Sequence, residues 1–121
     1  MEETFMKLLC ITKCPTGMVQ TYVAAEQLES AAEALGYEIR TETHGAQGIG
    51  GEFTPEQIDE ADYVIIASNT KVEKTTRFGN KKLLVVPLED ATNNAESVLG
   101  RVLEESETYE QSKKQFPKIL K

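Results

Sequence analysis

The chain has 121 residues, a net charge of −7, 40% hydrophobic residues and 27% charged residues. This length suits one domain with a sizeable core, and the acidic balance argues against binding to a nucleic-acid backbone. No apolar run approaches the roughly 20 residues that span a bilayer, and the acidic start lacks the order of a secretory signal. We therefore expect a single acidic, cytoplasmic domain.

The first part of the chain predicts a strand followed by a long helix. Met6–Thr12 is an apolar run of strand length, and helical periodicity extends from Met18 to Leu35. Gly36 stands where the residue that ends a helix is often glycine. Four residues are expected on the buried face of this helix: Ala24, Leu28, Ala31 and Leu35.

A half-polar strand and a glycine-rich loop are predicted next. Residues 37–42 alternate polar and apolar side chains, which favours a strand at a sheet edge. Residues 44–53 contain four glycines, and we expect no regular structure there. Thr54, Pro55 and Gln57 form the pattern of a helix start with a capping box, for a short helix ending near Ala61.

Two buried strands follow, and one long helix is expected after them. Residues 63–67 and 83–86 are continuous apolar runs, whereas residues 71–76 are polar and suit one or two helical turns, and residues 77–80 suit a turn. The last helix is predicted from Ala91 to Tyr109. Its buried side is expected to hold Val98, Leu99, Val102 and Leu103. We place the domain at residues 1–105 and expect residues 106–121 to be a polar, solvated extension or linker.

This order predicts an α/β fold with an open four-stranded parallel sheet in the order 2-1-3-4. Helices are expected on both faces of the sheet, which gives a three-layer, Rossmann-like arrangement. Ligands of such sheets bind where the strand order reverses, beyond the carboxyl ends of the strands. Cys14 follows the first strand there, and Ser68, Asn69 and Thr70 follow the third. The loops therefore converge on Cys14.

Cys14 precedes a helix whose first backbone N–H groups favour a thiolate or a bound anion. A phosphoryl group on its sulfur would be held by backbone N–H groups of the loop and by the hydroxyls of Thr16 and Thr21. The loop residues that offer a backbone N–H are Thr16, Gly17, Met18, Val19 and Gln20. The four-residue spacing from Cys10 disfavours a disulfide or redox pair, and one histidine is too few for zinc. Cys10 is expected to be a core residue.

The segment CPTGMVQTYVAAE at residues 14–26 resembles the active-site loop and first helix of fructose-type IIB components of the bacterial sugar phosphotransferase system. The likeness continues through ETHG at 42–45, residues 53–58, ADYVI at 61–65 and Arg77-Phe78, and covers about residues 5–104. It implies a phosphotransferase without metal or cofactor. Cys14 would accept phosphoryl from a IIA phosphohistidine and pass it to fructose or a related hexose bound by a IIC permease at the inner membrane face.

Two departures from the family pattern matter most, because the family usually has His at position 20 and Asp at position 69. Gln20 can donate a hydrogen bond but carries no charge, and Asn69 removes a negative charge beside the site. His44 stands where the family tends to have Gln. It could donate towards the loop, although we expect a surface histidine. Arg77 suits either a carboxylate partner or the IIA-docking edge.

Two alternatives remain at this point. A non-catalytic regulatory module would keep the fold and Cys14, and the changes at Gln20 and Asn69 favour it somewhat. A low-molecular-weight tyrosine phosphatase would need Arg six residues after the cysteine to bind phosphate, where this chain has Gln20.

Overall fold

The structure, a computed structural model, describes residues 6–13, 18–45, 48–72, 74–79 and 81–120. Within these ranges the chain forms one six-stranded sheet with helices packed on it. The strands are β1 Lys7–Lys13, β2 Glu38–Gly45, β3 Gly48–Gly50, β4 Tyr63–Ser68, β5 Lys82–Val86 and β6 Glu107–Thr108. The helices are α1 Met18–Leu35, α2 Pro55–Glu60, α3 Leu88–Asn93, α4 Ala95–Glu105, α5 Tyr109–Gln115 and α6 Pro117–Leu120, with a short 3-10 helix at Thr75–Phe78.

The sheet has the order β3-β2-β1-β4-β5-β6. Its four inner strands are parallel and follow the predicted order, whereas the outer strands β3 and β6 are antiparallel to their neighbours. The expectation of a four-stranded, wholly parallel sheet with β2 at its edge is therefore wrong. Both extra strands are only two or three residues long and lack the apolar pattern that marks a strand in the sequence.

The glycine-rich segment, expected to be irregular, supplies β3. Gly48 and Gly51 have φ of +115° and +69°, a backbone region that glycine enters at little cost. A Cβ at Gly50 would lie 2.9 Å from Oγ1 of Thr43 on the neighbouring strand. The glycines thus allow the chain to turn back and pair closely with β2 through its backbone alone.

Alternate residues of the inner strands enter two core layers. The first core layer lies between the sheet and helices α1, α3 and α4, and includes Leu8 and Cys10. The second core layer, on the opposite face, includes Leu9, Ile11 and Phe78. Cys10 is fully buried, as predicted, and burial, followed by the charge of Glu29, raises the pKa of its thiol well above the ordinary value.

Local signals at helix ends are confirmed. Gly36 has φ of +80°, its N–H donates to Glu33 O at 3.2 Å, and Tyr37 N donates to Ala32 O at 2.9 Å, which together close α1 in a Schellman motif. At α2, Thr54 Oγ1 accepts from Gln57 N at 3.1 Å, while Gln57 Oε1 accepts from Thr54 N at 3.0 Å. The capping box therefore forms as expected.

Helical periodicity was less reliable for burial. Ala24, Leu28 and Ala31 are buried, but Leu35 is 48% exposed and Leu103 is 49% exposed. A period fixes only the direction of a side chain, and burial also needs a second layer opposite it. The single long helix predicted after β5 is two helices, α3 and α4, because Asn94 leaves helical geometry at φ −135° and ψ 44°.

The C-terminal segment, residues 107–120, packs on the sheet. Strand β6 pairs with β5, and Tyr109 and Leu120 are buried in the second core layer. Val72 N donates to Ile119 O at 2.8 Å, and Thr75 Oγ1 donates to Leu120 O at 2.9 Å. The solvated extension expected there is therefore wrong for these residues, because their apolar side chains Tyr109 and Leu120 are buried against the sheet.

No helix in the described ranges has the length and apolar character needed to cross a membrane.

The buried position of Leu120 predicts that Leu120→Ala lowers the free energy of unfolding by about 2 kcal/mol, through lost burial and a residual cavity. Urea unfolding followed by circular dichroism measures this. Leu103→Ala is the matched control, and since Leu103 is half exposed we expect a change within about 0.5 kcal/mol. Equal effects of the two substitutions would contradict the packing of the C-terminal segment.

Candidate functional site

The carboxyl ends of the three central strands meet at one edge of the sheet. Lys13, the last residue of β1, pairs in register with His44 of β2 on one side and with Ser68 of β4 on the other. The next residue, Cys14, lies outside the described part of the chain, as do Thr16 and Gly17. Met18, Val19 and Gln20 form the first turn of α1, and their side chains are not described.

The end of β1 is tied to the start of α1. Thr12 Oγ1 donates to Thr21 O at 3.1 Å, and both residues are fully buried. This bond holds the strand end and the first helical turn together on either side of residues 14–17. It thereby limits where the connecting segment can begin and end.

The residues after β4 form a turn of their own. Ser68 Oγ accepts from Thr70 N at 3.0 Å and donates to Thr70 O at 2.7 Å. Asn69 is exposed, and its Nδ2 donates to Glu89 Oε1 at 3.2 Å, which lowers the pKa of Glu89. Asn69 is thus directed at the first turn of α3 by an interaction that an aspartate, with no proton to donate, would replace by repulsion.

A buried carboxylate, Glu42, organises the other side of this edge. Its Oε1 accepts from His44 Nε2 at 2.6 Å and from Arg77 Nη2, and its Oε2 accepts from Arg77 Nη1 and Phe53 N, both at 2.9 Å. Four donors occupy the four places that a carboxylate offers. The charge, which is fully buried, is therefore matched and hydrogen-bonded.

These donors determine the ionisation of Glu42. Burial by itself would raise the pKa, but the hydrogen bonds from His44, Arg77 and Phe53, together with the charge of Arg77, lower it to about 2. Glu42 is consequently a carboxylate throughout the physiological pH range. Since a carboxylate only accepts hydrogen bonds, the shared proton belongs to His44 Nε2.

His44 and Arg77 were only partly anticipated. His44 is 4% exposed, so the expected surface histidine is wrong. Of the two roles considered for Arg77, the carboxylate partner is confirmed, and its guanidinium also lies 4.8 Å from the Phe78 ring centre. Lys74 and Glu52 form an outer ion pair of 2.8 Å at the rim of this cluster.

The sequence pattern did not predict that Glu42 is buried, because Glu42 occupies one of the polar positions of a strand that alternates polar and apolar side chains. That alternation suggested a solvent-facing side chain, whereas the second core layer covers the face that holds Glu42. The sequence carries no local signal for this burial, because the partner Arg77 lies 35 residues away along the chain.

The comparisons with known proteins agree on a IIB component of a phosphotransferase system, although the matching names differ in the sugar. Residues 9–101 match the family model described as the lactose/cellobiose-specific IIB subunit of the phosphotransferase system, PTS. The fructose-like EIIB component 2 of Escherichia coli K12 is 38% identical over 96 residues, which are 79% of this chain and 91% of that protein. The fructose-specific EIIB component of Haloferax volcanii is 43% identical over 102 residues, 84% of this chain and 64% of that protein.

A solved structure also shares the fold. It is a domain from the fructose-specific IIABC component of Borrelia burgdorferi, with 36% identity and a TM-score of 0.76. The match covers 81% of this chain and 93% of that domain.

The lowered pKa of Glu42 predicts acid sensitivity. Because the folded-state value of about 2 lies below the ordinary 4.5, the stabilisation is full above pH 4.5 and is lost as the pH falls towards 2. Its size is on the order of 3 kcal/mol. We expect Glu42→Gln to lower the free energy of unfolding strongly at pH 7 and progressively less below pH 4.5, as measured by urea unfolding across this range.

Glu104→Gln is the control for this series, because Glu104 is exposed on α4. Its difference from the wild-type protein should stay small at every pH. A Glu42→Gln effect that is the same at pH 7 and pH 3 would show that Glu42 is not ionised in the folded protein.

Proposed function

The chain belongs to the fructose-type IIB components of the sugar phosphotransferase system, and on that premise we propose that Cys14 carries a phosphoryl group from a IIA phosphohistidine to a sugar bound by a IIC permease. As a IIB component it takes part in phosphoryl transfer. The observation that carries the proposal for Cys14 is its place in the chain. It follows the carboxyl end of a central strand and precedes the N-terminus of an 18-residue helix.

That place suits an anionic group. The first N–H groups of α1, beginning with Met18, have no acceptor within the helix, and the helix dipole is positive at this end. The Thr12–Thr21 bond holds this turn beside the end of β1. Together with the N–H groups of Thr16 and Gly17, these donors would stabilise first a thiolate and then a thiophosphate ester.

The transfer has two displacements at phosphorus. The Cys14 thiolate attacks the phosphorus of the IIA phosphohistidine, an S–P bond forms, and the N–P bond breaks with its electron pair remaining on the donor imidazole. A sugar hydroxyl oxygen then attacks the same phosphorus, the S–P bond breaks, the thiolate is regenerated and the hydroxyl proton is released. Such transfers depend mainly on positioning and charge stabilisation, which backbone donors supply.

The names of the relatives support the partner proteins and the sugar that we propose. The Borrelia burgdorferi domain comes from a IIABC component, in which B is joined to A and C, and the two EIIB relatives are called fructose-specific or fructose-like. We therefore assign a IIA donor, a IIC acceptor and fructose or a related hexose to this chain. The side chain of Asn69 donates a hydrogen bond to Glu89, which explains why this chain can have Asn where the family usually has Asp.

The assignment of Cys14 predicts that incubation with the upstream phosphoryl donors adds one phosphoryl group, located on Cys14 by peptide mass spectrometry. Cys14→Ser should abolish this gain without changing the fold. Cys10→Ala is the matched control. It should still gain the phosphoryl group, because Cys10 is fully buried in the core. A phosphoryl group found on another residue would contradict the proposal.

The same preparation distinguishes a carrier from a regulatory module. With IIA, IIC and sugar present, a carrier turns over and sugar phosphate accumulates. A protein that becomes phosphorylated on Cys14 but forms no sugar phosphate would instead be the regulatory module.

Gln20 provides a further prediction. Since the family usually has His there, we expect Gln20→His to keep the transfer rate within about threefold, because both side chains donate a hydrogen bond to an anionic oxygen. Rapid-quench measurement of phosphoryl transfer from IIA tests this. A loss of transfer in Gln20→His would show that this loop holds the phosphoryl group differently from its relatives.

A further inference from the structure

We propose that a groove beside β5 binds an extended basic segment of a partner protein, which adds to the sheet as a short strand. This groove, here called the edge groove, has a volume of about 550 Å³ and lies between β5, the end of α4 and α5. Strand β4 separates β5 from β1 in the sheet. The proposal therefore does not depend on the function proposed for Cys14.

Only part of β5 has a strand on its outer side. Strand β6 pairs with Lys82 and Leu83, and in the described ranges no strand continues alongside residues 84–86. Successive residues of a strand direct their backbone N–H and C=O groups to opposite sides. Either the middle residue of these three or the two that flank it therefore present these groups on the outer edge. An unpaired edge of this kind is a template for pairing with another chain.

The edge of β5 forms the floor of the edge groove. The side chain of Leu84 enters the first core layer, whereas the side chains of Leu83 and Val85 enter the second. All three residues nevertheless line the groove, so the part of them that faces it is the backbone. Residues 84–86 span about 10 Å, which suits a bound strand of about three to five residues.

The walls of the edge groove are fixed by hydrogen bonds near their ends. Ser106 Oγ donates to Val102 O at 2.5 Å and closes the last turn of α4. Ser112 Oγ donates to Glu107 O at 3.4 Å and connects α5 with β6. A groove that exists before binding loses little conformational freedom when a segment enters it.

The charges of the edge groove indicate a basic occupant. Glu104, Glu105 and Glu107 line it, and Arg101 is the one cation among the described residues that line it. Arg101 Nε pairs with Glu105 Oε1 at 3.0 Å, whereas Glu104 and Glu107 have no ion pair among the side chains that the structure describes. Two carboxylates are therefore available to basic side chains of a bound segment.

The two walls differ in chemistry, which predicts an alternating peptide. Glu104 belongs to α4, on the face of the first core layer, whereas Phe116 packs against the second core layer on the opposite face. Successive side chains of a strand point to opposite faces. A bound strand therefore directs basic side chains towards α4 and the apolar side chains between them towards Phe116.

The same charges disfavour two other occupants. Pairing of β5 with β5 of a second copy would bring two sets of three glutamates together, and like charges oppose such a contact. A nucleic-acid backbone, which is itself negative, is disfavoured for the same reason.

Binding is tested with the full chain and the peptide fluorescein-Lys-Val-Lys-Val-Lys-amide, by fluorescence anisotropy. We expect saturable binding, and the double variant Glu104→Gln/Glu107→Gln should raise the Kd about fivefold, because each exposed ion pair contributes modestly. The matched control is Glu96→Gln/Glu110→Gln, which removes the same charge from α4 and α5 outside the groove. The control should keep the wild-type Kd, and equal Kd values for the two double variants would overturn the proposal.

Methylation of peptide nitrogens distinguishes strand pairing from charge attraction alone. Methylating the valine nitrogens removes the N–H groups on one edge of the peptide, and methylating the nitrogens of the second and third lysines removes those on the other edge. We expect one of these two peptides to bind about tenfold more weakly and the other to bind nearly as well as the parent peptide. Equal affinities of the two methylated peptides, or full affinity of a peptide with its three lysines adjacent, would overturn the proposal.

Proton–nitrogen NMR spectra of the protein locate the bound peptide. The amide signals of residues 84–86 should shift on titration, and shifts confined to other parts of the chain would contradict the proposal. If these signals shift when the protein is concentrated without peptide, a second copy occupies the groove and the proposal is wrong. None of these measurements involves phosphorylation of Cys14, so their failure would leave the proposed carrier function unaffected.

Discussion

The carboxylate of Glu42 is the constraint on which this edge of the sheet depends. A buried charge is tolerated only when it is paired and hydrogen-bonded, and its donors come from three separate parts of the chain. His44 lies two residues further along β2, Phe53 precedes α2, and Arg77 belongs to the 3-10 helix. Removing any donor leaves part of the charge uncompensated. The cluster therefore joins these segments at one point, next to the place where β1 ends.

The C-terminal segment supports the Glu42 cluster through its contacts with the 3-10 helix that contains Arg77. The backbone carbonyls of Ile119 and Leu120 accept hydrogen bonds from Val72 and Thr75, and Thr75 opens the 3-10 helix that contains Arg77. The fully buried Phe78 lies beneath the guanidinium in the second core layer. A continuous set of contacts thus runs from residue 120 to Glu42. Packing that is distant in sequence from the loop proposed to carry the phosphoryl group contributes to the rigidity of this end of the sheet.

This arrangement suits a protein that must hold and release a doubly charged group. The donors proposed for the phosphoryl group are backbone N–H groups at the start of α1, and the Thr12–Thr21 bond holds that turn against β1. On the neighbouring strand, the Glu42–Arg77 pair fixes the orientation of one imidazole without adding net charge. A fixed environment of this kind needs little reorganisation as charge moves, and such preorganisation stabilises a transfer of charge.

The sequence by itself determined the features that arise from neighbouring residues. The inner strands, their order, the glycine end of α1 and the capping box at Thr54 follow from local pattern and from the rules of α/β connection, and the CPTG segment carried the family resemblance. Tertiary structure alone decided that Glu42 and His44 are buried, that Leu35 and Leu103 are not, and that residues 107–120 cover the sheet. The physical reason is that burial and ion pairing depend on which distant segments pack opposite a residue, as Arg77 does on Glu42 across 35 positions, and a local pattern holds no information about that partner.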